Sequence, residues 1–184
     1  MTQICKEAHH EISSPKEIII KAYPDKRGFF LESWNKMEME KLGIANNWVQ
    51  DNHSFSYKGT IRGLHYQLDG QAKLVRCLSG SVLDIFLDLR KESKTFGKWG
   101  SCILSQSASK MLYIPPRFAH GFIALEDAHL TYKVDTPYNP SLDKGINVAD
   151  PFLAIDLKFA ACERIISDKD LNLPLFVDAD LNFP

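Results

Sequence analysis

The chain has 184 residues, of which 45% are apolar and 24% are charged, and its formal net charge is -1. This length and composition are typical of one globular domain, predicted to span residues 1–184. The balanced charge argues against a nucleic-acid-binding or anionic-membrane-binding function, and no apolar run approaches the roughly 18 residues of a membrane span.

The N-terminal segment, residues 1–15, is polar and is predicted to be flexible or extended. It lacks the apolar stretch of a signal peptide. The cysteines form no CxxC pair, which argues against a zinc or redox site. Reduced thiols are typical of cytoplasmic proteins, so a cytoplasmic location is predicted. The four cysteines are Cys5, Cys77, Cys102 and Cys162.

The first third of the chain is predicted to contain two strands and one helix. Residues 17–22 are β-branched and predict a strand, which the Tyr-Pro-Asp sequence at 23–25 closes as a turn. Residues 28–33 predict a second strand. Residues 35–42 have helical composition, and Gly43 is well placed as the C-terminal cap.

Short strands dominate the rest of the chain. Turn signals recur every eight to twelve residues or so, which favours an antiparallel sandwich or barrel over alternating βα units. Residues 152–161 are apolar but irregular, so a helix and a loop both remain open there. The predicted strands are 48–56, 60–66, 73–76, 81–89, 97–104, 111–114, 121–125 and 130–134.

Residues 81–89 show the clearest alternation of apolar side chains. Leu83, Ile85 and Leu87 point to one face, and Asp84 and Asp88 lie on the other face beside valine and phenylalanine. Two aspartates on an otherwise apolar face fit a strand that lines a polar cavity. The pattern is equally compatible with a face that meets water.

Chemically reactive side chains are concentrated in short motifs. Residues 50–54 (QDNHS), 62–67 (RGLHYQ) and 73–76 (KLVR) bring a histidine, two arginines, a lysine and several amides onto neighbouring predicted strands. These groups are suited to hold a phosphorylated ligand and to move a proton on it. Further motifs are AHGF at 119–122, YKVDTPY at 132–138 and SDKD at 167–170.

Together these motifs closely resemble the dTDP-4-dehydrorhamnose 3,5-epimerase family, over about residues 18–175. The resemblance implies an all-β, cupin-like jelly-roll sandwich with a few short helices, mainly in the N-terminal third and the C-terminal region. It also implies epimerisation at C3 and C5 of dTDP-4-dehydro-6-deoxy-D-glucose, without a cofactor. The product, dTDP-4-dehydro-L-rhamnose, belongs to dTDP-L-rhamnose biosynthesis, which supplies glycans such as O-antigen. A homodimer that shares a strand between subunits is expected.

The resemblance also implies four catalytic roles. His65 is expected to be the general base, and an imidazole suits this role at neutral pH. Asp170 is expected to pair with it and fix its tautomer. Lys73 is expected beside the C4 carbonyl, where a cation stabilises an enolate. Tyr132 is expected to return the proton from the opposite face of the sugar. Without the resemblance, each residue type is more often structural.

The remaining implied site residues bind the substrate. Arg27 and Glu32 are expected to contact the nucleotide bound in the partner subunit. Arg62 is expected to contact the diphosphate, and Tyr138 is expected to stack on the ligand. From the residues alone, a surface polar side chain remains the alternative for each polar residue of this set. Arg62 and His65 lie on opposite sides of an ideal strand, so a bulge or bend at Gly63 is needed to bring them together. The other expected contacts are Gln50, Asp51, Asn52, His120, Asp143 and Lys169.

Three departures from the family pattern and several alternatives remain. Asp143 stands where a glutamate is usual, the loop between His65 and Lys73 is about two residues short of the common pattern, and residues 145–151 lack the tryptophan common in that motif. An epimerase of one centre in another deoxysugar pathway remains open, and so does a non-catalytic sugar-binding module. A metal-dependent cupin requires an HxH pair, and the sequence contains none.

Overall fold

The computed structural model describes residues 14–157 and 163–183, which fold mainly into antiparallel β-sheets. The first sheet is formed by β1 (Lys16–Ile19), β4 (Gln50–Ser56), β6 (Lys73–Ser79), β9 (Lys110–Ile114) and β11 (Ala128–Val134). Its spatial order is β1–β9–β6–β11–β4. Strands distant in sequence therefore become neighbours, as expected for a jelly roll.

The second sheet is formed by β5 (Thr60–Gln67), β7 (Ser81–Asp88), β8 (Trp99–Ser105), β10 (Phe118–Ala124) and β12 (Asp143–Gly145). Its order is β12–β5–β10–β7–β8, and β13 (Ile165–Ile166) pairs in parallel with the start of β5. The two sheets and the scarcity of helix among the described residues confirm the predicted all-β, cupin-like jelly roll.

A separate two-stranded ribbon lies near the N-terminus. It consists of β2 (Ala22–Asp25) and β3 (Gly28–Leu31). The turn predicted at residues 23–25 is therefore wrong, because these residues form β2 and the chain reverses at residues 26–27. Pro24 pairs opposite Phe29 in this ribbon, where a strand with one neighbour tolerates the missing N–H.

Two short helices complete the described structure. Helix α1 (Lys36–Lys41) begins after Asn35, whose side chain accepts the Glu38 N–H, and Gly43 follows its C-cap with φ of 80°. This confirms the helix and cap predicted at residues 35–43. Helix α2 (Asp168–Leu171) begins after Ser167. Single 3-10 turns occur at Gln106–Ala108 and Phe176–Asp178.

The alternation at residues 81–89 separates two apolar layers. Leu83 and Ile85 pack against Ile146 and other residues of the C-terminal part of the chain, on the outer side of the second sheet. Val82 packs in the layer between the two sheets. A third cluster, built around α1, covers part of the outer side of the first sheet. The aspartate-bearing face of β7 therefore points into the sandwich, as the cavity interpretation predicted.

Several predictions fall on residues beyond those described. Residues 1–13 of the predicted N-terminal segment and residues 158–161 of the irregular apolar stretch are outside the described ranges, as are Cys5 and Cys162. Cys77 and Cys102 are both buried. Within residues 14–157 and 163–183, no helix is long and apolar enough to cross a membrane.

Asp88, at the end of β7, anchors the loop that follows this strand. Its carboxylate accepts hydrogen bonds from Arg90 Nη2 (2.7 Å), Ser93 Oγ (2.7 Å) and Thr95 Oγ1 (2.6 Å). Burial raises the pKa of Asp88, but these bonds outweigh it and lower the pKa to about 2. We expect Asp88→Asn to lower the free energy of unfolding by about 2 kcal/mol, measured by urea denaturation at pH 7.

The expected stabilisation also depends on pH. Because the pKa of Asp88 is lower in the folded protein than in the unfolded chain, its contribution is complete above about pH 4 and disappears as the pH falls towards about 2. Asp51→Asn is the control, since Asp51 is an exposed partner of Lys133 and such pairs contribute little. Equal effects of the two variants at pH 7 would contradict this account of Asp88.

Candidate active site

The space between the sheets is lined by polar side chains from both of them. In the first sheet, Asn52 and Tyr132 are paired across the strands β4 and β11, and Tyr132 packs against the inter-sheet cluster. In the second sheet, His65 lies opposite His120 on the neighbouring strand. Directly opposed residues of an antiparallel pair point to the same face, so both histidines face this space.

His65 and Asp170 form a hydrogen-bonded pair at the wall of the cavity. His65 Nε2 lies 2.8 Å from Asp170 Oδ1. A carboxylate accepts hydrogen bonds, so Nε2 carries the hydrogen and Nδ1 is left with a lone pair. Among the described residues, Nδ1 of His65 has no hydrogen-bond partner. The arrangement therefore leaves one imidazole nitrogen available to accept a proton.

Asp170 is held in place by local structure. It is buried in the short helix α2, and its backbone N–H donates to the Ser167 side chain. Its second oxygen, Oδ2, accepts the Gly63 N–H at 3.1 Å. Burial raises the pKa of Asp170, but the hydrogen bonds from His65 and Gly63 outweigh it and lower the pKa. Asp170 is therefore ionised at neutral pH and orients the imidazole.

Lys73 places a buried ammonium group beside the same histidine. Its Nζ lies 3.5 Å from the His65 carbonyl oxygen, and the residue is 7% exposed. Burial lowers the pKa of Lys73 to about 8, against the opposing influence of Asp143, Asp84 and Asp135. Such a cation is costly to bury without strong partners. Its position thus favours an anionic or carbonyl oxygen as its natural neighbour.

Tyr132 faces the cavity from β11 and is partly buried. Burial raises the pKa of its hydroxyl group, and the positive charge of Arg62 partly opposes this effect. The phenol therefore keeps its proton at neutral pH. A protonated phenol on the first sheet, opposite an imidazole on the second, can donate a proton to the other side of a ligand held between them.

The side chains of Arg62 and His65 face the same space because β5 is irregular at Gly63. The register of β5 with β10 shifts between His120 and Phe122, and Gly63 has φ of 109°. This supports the predicted bulge or bend. Arg62 donates to the Ser56 hydroxyl (3.0 Å) and to the Phe55 carbonyl (3.1 Å), which point it towards the first sheet.

Further predicted binding residues form two groups connected by hydrogen bonds. Asp143 Oδ2 accepts hydrogen bonds from the Tyr138 hydroxyl (3.3 Å) and from Lys169 Nζ (2.7 Å). The Tyr138 N–H donates to Gln50 Oε1, and Gln50 Nε2 donates to Asn52 Oδ1. The shorter carboxylate at position 143 therefore reaches both partners. Tyr138 itself is 55% exposed, as suits a ring that stacks on a ligand.

Three predicted residues lie elsewhere. Asp51 is on the outer face of the first sheet, where it binds Lys133 at 2.8 Å, so this placement does not support a contact with substrate in the cavity. Successive side chains of a strand point to opposite faces, so Gln50 and Asn52 face the cavity when Asp51 faces outwards. The prediction for the QDN triplet assigned all three residues to the substrate and ignored this alternation. Arg27 and Glu32 lie on or beside the exposed β2–β3 ribbon, and Arg27 binds Asp25.

Residues that no prediction assigned also shape the site. Asp84 is fully buried and accepts hydrogen bonds from His120 Nε2 at 2.9 and 3.0 Å. Buried Gln67 accepts the Asn139 N–H and supports the loop that carries Tyr138. The alternation of β7 was a usable signal for Asp84, whereas Gln67 was included in the RGLHYQ motif but was given no role. No three His, Cys, Asp or Glu side chains form a metal-binding group among the described residues.

Comparison with known proteins gives a consistent result along the chain. The family model described as dTDP-4-dehydrorhamnose 3,5-epimerase matches residues 9–178. A protein of that name from Shigella flexneri is 46% identical over 164 residues, which cover 87% of this chain and 90% of the relative. The similarity therefore spans nearly the whole of both proteins.

Solved structures show the same fold. The dTDP-6-deoxy-D-glucose-3,5-epimerase of Legionella pneumophila, in complex with dTDP-4-keto-L-rhamnose, has a TM-score of 0.89 and 41% identity, over 96% of this chain and 95% of that chain. A dTDP-4-dehydrorhamnose 3,5-epimerase of Bacillus anthracis with TDP and PPi bound has a TM-score of 0.86 and 40% identity, over 93% and 99% of the two chains.

Proposed function

The chain belongs to the dTDP-4-dehydrorhamnose 3,5-epimerase family and is an isomerase, and we propose that its inter-sheet cavity inverts C3 and C5 of dTDP-4-dehydro-6-deoxy-D-glucose. The observation that carries this proposal is the buried ammonium of Lys73 beside the His65–Asp170 pair. A general base is needed to form an enolate, and a nearby cation is needed to stabilise its negative charge.

Proton abstraction is assigned to His65. The C4 ketone acidifies the hydrogens on both neighbouring carbons, so one base can act on C5 and on C3 in turn. Asp170 keeps hydrogen on Nε2, and the lone pair of Nδ1 takes the carbon-bound proton. The imidazolium that forms is stabilised by the same carboxylate. The substrate already carries its activating carbonyl, so this step requires no cofactor.

Lys73 and Tyr132 complete the reaction. When the proton leaves carbon, its electron pair moves into the carbonyl and negative charge develops on the C4 oxygen. The Lys73 ammonium is assigned to stabilise that charge. Tyr132 then donates a proton to the face opposite His65, which inverts the centre. An epimerase of one centre is the second candidate, since the same residues serve either carbon and ring positioning decides between them.

Tyr132→Phe separates exchange from inversion. In D₂O, His65 is expected to continue to remove and return hydrogen on its own face, so deuterium still enters the substrate. Net epimerisation is expected to fall about a hundredfold, because the donor on the other face is missing. Proton NMR measures both quantities in one sample. Parallel loss of exchange and inversion would contradict the donor role, and Tyr113→Phe, on the other side of the first sheet, is the matched control.

We propose a homodimer in which the β2–β3 ribbon completes the partner's site. In the ribbon, Phe29 is 57% and Phe30 is 69% exposed, although an isolated two-stranded ribbon is only marginally stable in water. The Arg27 side chain is 83% exposed and stays outside its own cavity. Both observations support a partner subunit that covers the ribbon and receives Arg27 and Glu32 as nucleotide contacts.

Mixing two defective proteins tests the shared site. We expect Arg27→Ala and His65→Asn to be weakly active alone at limiting substrate concentrations. After subunit exchange, each mixed dimer has one site with an intact His65 and an intact Arg27. Half of the dimers are then mixed, so activity should return to about a quarter of the wild-type value. No recovery in proteins shown by ultracentrifugation to be dimeric would contradict the shared site.

The remaining parts of the proposal concern context. We place residues 1–184 in one cupin-like domain and the enzyme in the cytoplasm, because a nucleotide-linked sugar is the expected substrate. Use of the product in O-antigen or another lipopolysaccharide glycan is part of the same proposal. The rhamnose content of the surface glycan in a strain that lacks its own epimerase, with and without this chain, tests this assignment.

A further inference from the structure

The cavity contains a second imidazole–carboxylate pair. His120 Nε2 lies 2.9 and 3.0 Å from the two oxygens of Asp84. Asp84 is fully buried, and the His120 side chain is 11% exposed. The pair is built from β10 and β7, whereas His65 and Asp170 come from β5 and α2. The second pair therefore lies in separate elements from the first.

The two pairs lie side by side. His120 and His65 are directly opposed on neighbouring strands, and Phe86 on β7 is opposed to His120 on its other side. Opposed residues have Cβ atoms about 5 Å apart and share a face. His120 thus lies next to the proposed base and faces the same space between the sheets.

Asp84 determines which nitrogen of His120 carries hydrogen. A buried carboxylate is costly unless it accepts strong hydrogen bonds, and its oxygens face Nε2. Nε2 must therefore hold the hydrogen. Among residues 14–157 and 163–183, Nδ1 of His120 has no hydrogen-bond partner. A ring nitrogen with no partner in the protein is available for a ligand.

We propose that Asp84 is a positioning residue that fixes His120 with hydrogen on Nε2 and with Nδ1 facing the sugar. This inference rests on the proposed function. Nδ1 then forms a hydrogen bond with a sugar hydroxyl and holds the ring over His65. Displacement of a reacting centre by about 1 Å can cost about a hundredfold in rate, so a fixed ring orientation matters for turnover.

Asp84→Asn and Asp88→Asn form a matched pair of variants. Both change a buried aspartate on the same face of β7 to its isosteric amide. Asp88 binds Arg90, Ser93 and Thr95, so its loss destabilises the fold without touching His120. An amide can donate to or accept from Nε2 of His120. Asp84→Asn therefore no longer fixes the hydrogen on Nε2, although the size of the side chain at position 84 is preserved.

Comparison of kcat with the Kd for dTDP shows whether Asp84→Asn impairs positioning of the sugar or binding of the nucleotide. We expect Asp84→Asn to lower kcat for the dTDP-sugar at least about tenfold, while the Kd for dTDP, which lacks the sugar, changes less than about twofold. Asp88→Asn should keep the wild-type kcat below its melting temperature. The proposal is overturned if the kcat of Asp84→Asn stays within about twofold of wild type, if the loss is in dTDP affinity, or if Asp88→Asn loses kcat equally.

Nitrogen-15 NMR of the histidine rings tests Asp84 without turnover. The wild-type His120 signal, assigned by its loss in His120→Gln, should show hydrogen on Nε2 from pH 7 to pH 8. In Asp84→Asn this preference should disappear. An unchanged ring signal would overturn the positioning role. If the wild-type protein shows this tautomer but exchanges no deuterium into the substrate, the proposed function is refuted. In that case the nitrogen-15 signal of His120 in Asp84→Asn alone decides whether Asp84 positions the ring.

Discussion

His65→Asn is expected to lower deuterium exchange and epimerisation about a thousandfold, because it removes the nitrogen that accepts the carbon-bound proton. Asparagine is polar and smaller than histidine, and Asp170 keeps its hydrogen bond from the Gly63 N–H, so the surrounding fold should persist. The proposed contacts of the diphosphate and the nucleobase are with residues other than His65. The Kd for dTDP, measured by calorimetry, should therefore stay within about threefold of wild type.

A matched histidine variant controls for this experiment. His129→Asn changes a residue on the outer side of the first sheet, where His129 Nδ1 lies 3.0 Å from His53 Nε2. It should retain wild-type exchange. If His65→Asn keeps more than about a tenth of the wild-type rate, His65 is not the base, since a general base contributes at least about a hundredfold.

Lys73→Met is expected to lower kcat by about a hundredfold to a thousandfold, because it removes the only assigned cation at the developing C4 oxyanion. Methionine preserves most of the volume of the buried side chain, and removal of an unshielded buried charge should not destabilise the protein. The Kd for dTDP should again change little, because the ammonium lies deep in the cavity beside His65.

The pH dependence gives a second signature of Lys73. Burial lowers the pKa of Lys73 to about 8, and the protonated form is the one that stabilises the enolate. Wild-type kcat/KM should therefore decline as the pH rises through about 8. Lys73→Met should lose this alkaline decline, whereas Lys110→Met, which removes a lysine paired with Glu17, should keep it. An alkaline decline that survives in Lys73→Met would assign it to another group.

The strands and the sandwich-or-barrel class were predictable because their determinants are local and periodic, whereas the jelly roll was implied by the resemblance. Alternation at residues 81–89 separated the two faces of β7, and Gly43 marked the C-terminal end of α1. The ribbon was missed at residues 23–25, because a Tyr-Pro-Asp sequence is typical of turns and only the pairing with β3 makes it a strand. Tertiary pairing overrode local propensity there.

The site was predictable only in part. The roles of His65, Lys73, Tyr132 and Asp170 came from resemblance, and their close arrangement depends on contacts over more than a hundred positions, such as His65 with Asp170. Long-range pairs of this kind leave no local pattern. The partnership of Asp84 with His120 was missed for the same reason, although the polar face of β7 was recognised.

Proton NMR of dTDP-4-dehydro-6-deoxy-D-glucose incubated with the protein in D₂O tests whether both carbons react. Deuterium is expected at both C3 and C5 at catalytic rates, with accumulation of dTDP-4-dehydro-L-rhamnose, and no such exchange is expected with His65→Asn. Deuterium at only one carbon would show an epimerase of one centre. Absence of exchange at either carbon in the wild-type protein would contradict the proposed activity.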